Sequence, residues 1–536
     1  MKTRGVSPEW VYAVYFATAV GVKKLKGPNE KGRTLPGVDK AKDSRSGVTL
    51  AREMGLLGLI ATGVCSMVGA AINVIPVMIQ RSVPGIGPNV LPAFALAMVP
   101  AILAALAYAA MASGMPRAGG SYVYASRSIH PYLGLLASFS QWFGLSVAMG
   151  VVGYVLVPFT RDIAVALELQ GAAAALETGF IRVTLALVFV WTASLINLFG
   201  IKTFERAMVT LMILGFVGGA IVIPTGFMFD HADFVAAVQQ TDGVAVATET
   251  ATPLNLYLLL AATALLFSSF IGFDSIAQAG SEAKNPNVML PLAIGIAVVV
   301  VGAFYLLFTA AVYHAVPWYF IADRAGGMDL TAPGLLSYLL SPTWSVLILG
   351  AATFALFNSL PGMMLAVSRL MFAWAEDGIF FRSVAAIHPR WRTPHVAILL
   401  STIIASLGIV GCHFAGDFFL GVDVLVIGML VNFTLVCLSV VFLAKRNPKL
   451  AEGLRFMKNR SAQVLLGGSG ALMLGILLVA QVIKDLNADV DAWYYRSTWV
   501  YLIAVAAVSL LFLIRWKELR RGGVDLEELY STLPPE

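Results

Sequence analysis

The sequence predicts an all-α polytopic membrane protein of twelve transmembrane helices, and three observations carry that reading. The 536 residues are 59% hydrophobic and only 12% charged, more apolar surface than a water-soluble fold of this length can hide. The apolar residues come in repeated runs of about 20, the length that crosses a hydrocarbon core about 30 Å thick. The runs lack the alternation over about 10 residues that marks the strands of a transmembrane barrel.

Taken in order, residues 1–53 form a polar N-terminal tail. Within it, residues 9–21 are too short to span and sit beside Lys23, Lys24 and Lys26. They read as an interfacial helix, a membrane-dipping segment being the alternative. The spans fall near 55–80, 86–112, 132–160, 180–199, 207–229, 254–279, 288–314, 344–373, 394–413, 418–443, 462–483 and 496–515. Residues 54–443 make a core of ten spans, 444–515 carry two peripheral ones, and 516–536 are a second polar tail. No polar stretch is long enough for an ATPase domain.

Charge sets the orientation. With the N-terminus cytoplasmic, 30 of the 36 Lys and Arg lie inside, leaving Arg81, Arg161, Arg182, Arg324, Lys484 and Arg496 outside. That asymmetry predicts both termini in the cytoplasm. The net charge of +6 is then a partner for anionic lipid headgroups rather than for nucleic acid. The three cysteines, Cys65, Cys412 and Cys437, fall in spans without a CxxC pattern, so neither a disulfide framework nor a zinc site is expected. The scattered histidines likewise suggest no metal centre, and no cofactor is implied.

Two spans carry their own interruption. The first reads GLLGLIATGVCSMVGAAINVIPVMIQ, small and weakly polar from Cys65 to Ala71; the sixth places Gly272 and Asp274 inside an apolar run. A carboxylate at bilayer depth costs roughly 2.5–3.5 kcal/mol on insertion scales. Spans 1 and 6 occupy matching positions if spans 1–5 and 6–10 are two repeats, and such paired interruptions point to a transporter binding site. A broken helix bares N–H groups on one side and C=O groups on the other, a match for the carboxylate and ammonium of an amino acid. The competing reading is that glycine only permits close helix packing. Asp274 has two readings as well, a proton carrier or an acceptor that pins the break.

The stretch FIGFDSIAQAGSEAKNPNVMLP, residues 270–291, resembles the sixth-span signature of the amino acid–polyamine–organocation permease superfamily. MPRAGGSYVYASRSIHPYLG (115–134) and SRLMFAWAEDGIFFRSVAAIHPRWRTP (368–394) are similar to its loops after spans 2 and 8. The resemblance implies a leucine-transporter-like 5+5 inverted repeat with helices 1 and 6 broken, plus two peripheral helices. It implies a substrate carboxylate on Gly69, Ala70 and Ala71, and an amino group at carbonyls near Phe270, Ile271 and Gly272, with Ser66 offering a hydroxyl. It also puts Asn358 and Ser359 where related folds build a cation site; helix-to-helix hydrogen bonding is their plainer role, as for Asn73, Asn197, Asn432 and Asp423. Four departures stand out. Gly69-Ala70-Ala71 replaces the family's frequent G-S-G; Ser268 replaces an aromatic gate; Gly215 replaces a lysine of some proton-coupled members; and Ser281 replaces the first of two acids, the second being Glu282.

Arg117, Arg127, Arg369, Asp377 and Arg390 lie in predicted cytoplasmic loops, either as ion pairs closing an inner gate with Glu282 or as positive-inside anchors. The expectation is a plasma-membrane permease, not an enzyme, moving a small amino acid by alternating access. H+ is favoured over Na+ as the coupling ion because an acid lies at depth. The alternatives are a polyamine or organic-cation permease, an exchanger, and, more remotely, a nutrient sensor on the same fold. The expected partners are the substrate and the lipid bilayer; oligomeric state is open.

Overall fold

The computed structural model describes residues 50–243, 255–415, 419–488, 490 and 493–534. The interfacial helix expected at 9–21 lies outside them. Among the described residues the chain is helical, with only two isolated β-bridges, Met54 to Ala283 and Ala118 to Ala279.

Among the described residues, ten helices are long and apolar enough to cross a membrane. They are span 2 (Val90–Gly114), span 3 (Pro131–Ala166), span 4 (Gly179–Leu198), span 5 (Ile201–Met228) and span 7 (Pro286–Ala315). The others are span 8 (Pro342–Glu376), span 9 (His395–Ala415), span 10 (Phe419–Arg446), span 11 (Arg460–Leu486) and span 12 (Ser497–Arg521). Spans 1 and 6 are the exceptions, because each is broken. Span 1 runs as Leu56–Met67, Ala70–Asn73 and Ile75–Ser82. Span 6 runs as Leu256–Phe267, a 3-10 turn Ser268–Phe270, and Asp274–Gln278.

The spans sort by burial. Span 3 buries 78% of its most apolar stretch and span 10 72%, against 22% for spans 4 and 12. A helix apolar all round but mostly uncovered presents that surface to lipid, so spans 4 and 12 are peripheral. Span 3 is the hub, packing on spans 8, 9 and 10, while broken span 1 packs on spans 5, 7 and 8. Small residues allow the close approaches: a Cβ on Gly150 of span 3 would lie 2.7 Å from the Gly408 backbone of span 9.

Between spans 5 and 6 lies a surface helix, His231–Asp242, with a capping box at Asp230 and Asp233.

Candidate substrate site and gate

The two breaks meet each other. Span 1 leaves helical geometry at Val68, whose backbone is extended. Span 6 does so at Ile271, also extended, and Gly272 follows at φ +143°. Only glycine adopts that φ without strain. It also has no room for a side chain: a Cβ on Gly272 would lie 2.6 Å from the Ser66 carbonyl carbon and 2.7 Å from the Met67 amide. The same holds more mildly at Gly69, where a Cβ would stand 3.0 Å from the Ala355 carbonyl of span 8. Close packing therefore accounts for both glycines, and it presses the two bare backbones together.

The freed polar groups have identifiable partners. The Tyr305 hydroxyl of span 7 lies 2.6 Å from the Met67 carbonyl and 3.0 Å from the Ser269 carbonyl, bridging the C=O ends of both broken helices. Asn73 donates to the Gly69 carbonyl at 3.0 Å. Asp274 is fully buried and accepts from the Gly272 amide at 2.9 Å and from the Gln141 side chain of span 3. Gln141 Oε1 in turn accepts from Ser121 at 2.6 Å and from Gln278 at 3.0 Å. The acid at depth thus holds its own helix break and ties it to span 3, in a cluster without direct contact with water.

Of the residues expected to bind substrate, Ser66, Gly69, Phe270, Ile271 and Gly272 are all buried at this junction. Ala70 and Ala71 begin the short middle helix. The Ser66 hydroxyl is already engaged: it donates to the Thr62 carbonyl at 2.6 Å and sits 3.0 Å from the Ser275 hydroxyl. Phe270 packs edge-on against Phe94 and Tyr305. A cavity of about 10 Å³, room for about one water, lies beside the first break, lined by Val68, Ile72, Asn73, Gly215 and Ala355 among others.

Ser359 donates to the Leu356 carbonyl at 2.8 Å, and Asn358 Oδ1 is buried with no hydrogen-bond partner among the described residues. Asn197 and Asn432 do bond between helices, to Pro361 and Tyr108, and Asp423 pairs with Lys484 at 3.1 Å. Asn73 departs from expectation: its amide bonds back across the break in its own span, because the turn opened at Gly69 leaves a carbonyl within its reach.

The residues expected at an inner gate lie on the face where residues 50–55 and 522–534 lie, here called the terminal face. Arg127 grips Asp377 with two hydrogen bonds of 2.6 and 3.1 Å. Arg369 grips Glu282 with two of 3.0 and 2.7 Å. All four side chains are at most 1% exposed. Burial works to lower the Arg127 pKa, but Asp377 more than offsets it, so the guanidinium is held charged above its usual range. Tyr122 adds a 2.7 Å bond to Asp377. Backbone pairing closes the seam: the amides of Glu53 and Met54 donate to the Glu282 carbonyl, and the Lys284 amide donates to Met54. Ser281 accepts from the Ala118 amide at 2.9 Å. Arg117 donates to the Pro534 carbonyl, and Arg390 lies beside His388, its amide donating to the ring.

The opposite face holds a hollow of about 600 Å³ walled by Arg161, Asp162, Arg324, Asp329 and Tyr338 among others. Two ion pairs here are roughly a third exposed, Arg81 to Asp329 at 3.3 Å and Arg324 to Asp242 at 3.6 Å, and the neighbours Arg161 and Asp162 pair at 2.7 Å, about a quarter exposed.

Tyr305 and Gln141 escaped the sequence reading. The only signal for either was a polar group in mid-span, in AFYLLF and FSQWFG.

A profile described as amino acid permease matches residues 54–508. The chain is 26% identical over 416 residues to cationic amino acid transporter 4 of Mus musculus, covering 75% of this chain and 61% of that protein. It is 26% identical to the low-affinity putrescine importer PlaP of Escherichia coli (strain K12), covering 78% and 84%. It is also 26% identical to the branched-chain amino acid permease BcaP of Bacillus subtilis (strain 168), covering 76% and 84%. The chain thus spans about three-fifths of the length of the cationic amino acid transporters it matches. With the profile running from the entry of span 1 into span 12, the chain belongs to the amino acid permease family of the amino acid–polyamine–organocation superfamily, a family of permeases and not of enzymes.

Proposed function

We propose that the protein is a secondary-active permease that carries a small amino acid across the plasma membrane by alternating access, with the terminal face cytoplasmic. The observation that carries this reading is the meeting of two broken helices, whose freed carbonyls share one tyrosine hydroxyl. A primary ammonium supplies three donors and is the natural competitor for those carbonyls. The substrate carboxylate belongs at the start of the middle helix of span 1, at Gly69, Ala70 and Ala71. A sealed terminal face opposite a hollow of about 600 Å³ suits one end state of such a cycle. Charge asymmetry supports the orientation.

A neutral side chain is favoured over a second cationic centre. Asp274 is the acid at the junction, and both its oxygens already accept hydrogen bonds. The names of the relatives cover cationic amino acids, putrescine and branched-chain amino acids, so a polyamine or cationic substrate is the second reading. Proton coupling is favoured because protonating Asp274 would remove an acceptor from the break it holds.

The test is uptake into proteoliposomes across a panel of labelled amino acids and putrescine, under a pH or a sodium gradient. Saturable uptake of a neutral amino acid driven by the pH gradient is expected. Movement of no amino acid under any gradient sinks the reading. Asp274→Asn separates the two roles of the acid: a proton carrier loses accumulation but keeps exchange, whereas a pinning group loses both.

A further inference from the structure

The segment that follows span 12 lies across the gate. Asp525 caps a short helix, Leu526–Ser531, by accepting from the amides of Glu527 and Glu528. The helix delivers Tyr530 onto Arg127. The guanidinium carbon stands 4.9 Å from the Tyr530 ring centre, and the Tyr530 hydroxyl is 3.3 Å from that of Tyr122. Trp516, at the end of span 12, backs the ring at 5.9 Å.

Beyond the helix, backbone carbonyls take over. Thr532 accepts from Arg127 Nε at 3.2 Å, Pro534 from Arg117 Nε at 3.1 Å, and Ser531 from Asn447 at 2.9 Å. Arg127 spends its other two nitrogens on Asp377 and Ser126. Leaving a buried donor without an acceptor costs stability, and Thr532 supplies the acceptor for Nε. The segment therefore completes the pair rather than merely lying over it. It also joins three elements: the loop before Gly120–Ser128, that helix itself, and the link after span 10.

We propose that residues 525–534 are an intramolecular strap that holds the terminal face closed and must lift for that face to open. This rests on the reading of the protein as an alternating-access permease. Separating Arg127 from Asp377 moves the helix Gly120–Ser128 against the end of span 8, and the strap contacts tie that helix to Asn447 and Trp516. Each contact made only in the closed state biases the equilibrium by its own free energy. A desolvated cation–π contact and its hydrogen bond together are worth about tenfold in population.

The test reads accessibility rather than transport. Ala277, fully buried between the span 6 break and the gate, is replaced by cysteine in a chain whose three buried cysteines, Cys65, Cys412 and Cys437, are alanine. A membrane-impermeant maleimide is applied to the terminal face of reconstituted protein. Tyr530→Ala is expected to speed labelling about tenfold, and Tyr530→Phe, which keeps the ring, to speed it far less. A cysteine pair at Asn447 and Ser531, oxidised to pin the strap, is expected to slow labelling, with reductant restoring the rate. This arm decides the matter if Tyr530→Ala does not fold. Equal labelling rates with the strap free, altered or pinned overturn the proposal. Accelerated labelling in a protein that moves no amino acid would leave the strap standing and sink the permease reading instead.

Discussion

The two faces of the protein use the same chemistry to opposite effect. On the terminal face, Arg127–Asp377 and Arg369–Glu282 are two-pronged and at most 1% exposed. On the opposite face, Arg81–Asp329 and Arg324–Asp242 are single contacts, roughly a third exposed, around a hollow of about 600 Å³. An exposed pair gains little, because water and salt compete for both partners. A buried pair is committed: neither charge can be abandoned without a large desolvation cost. The terminal face is therefore closed as a unit, with backbone pairing at Met54 and Glu282 drawn into the same seam, whereas the opposite face is held by contacts that exchange readily with water.

That contrast is testable from its strongest point downward. Arg127→Ala leaves Asp377 buried without its cation and should cost about 3–5 kcal/mol of stability, read as the denaturant midpoint of the purified protein. Replacing Arg127 and Asp377 together by Met and Leu should recover most of it; no recovery would mean that packing, not charge, is what the single change destroys. Arg324→Ala on the opposite face should cost about 0.2–1 kcal/mol. Raising the salt to about 1 M should abolish even that difference while leaving the Arg127 effect intact.

The smallest effect concerns the terminal face alone. His130 accepts from the Tyr132 amide at the start of span 3, and partial burial, followed by the nearby Arg446, lowers its pKa. The unfolded chain therefore takes up a proton first as pH falls below about 6.5. Stability should be highest above that value and be lost as pH drops through it. Thermal melts at two pH values check this, with His130→Asn flattening the dependence.

The breaks in spans 1 and 6 were legible because Gly272 and Asp274 contradict an otherwise uniform apolar run, and such contradictions in a membrane segment seldom lack a local cause. The four charged residues that pair on the terminal face stood out as a group in the sequence, but not as pairs. Arg127 finds Asp377 across 250 residues and Arg369 finds Glu282 across 87, and nothing in the local pattern of either partner points to the other. Tyr305 was invisible for the opposite reason: an aromatic in an apolar span looks like packing until its hydroxyl is seen between the Met67 and Ser269 carbonyls. Ser66 shows the converse, a hydroxyl read as free for substrate that its own helix and Ser275 already occupy.

The chain's composition and run lengths dictate the membrane, the number of crossings and the two places where a helix gives way, because a bilayer charges every residue for polarity according to its depth. Which freed carbonyl meets which hydroxyl, which arginine pairs with which acid, and the return of residues 525–534 onto Arg127 and Arg117 came from packing. Those contacts join residues far apart in the chain, and their strength comes from the exclusion of water, a condition no single segment can create.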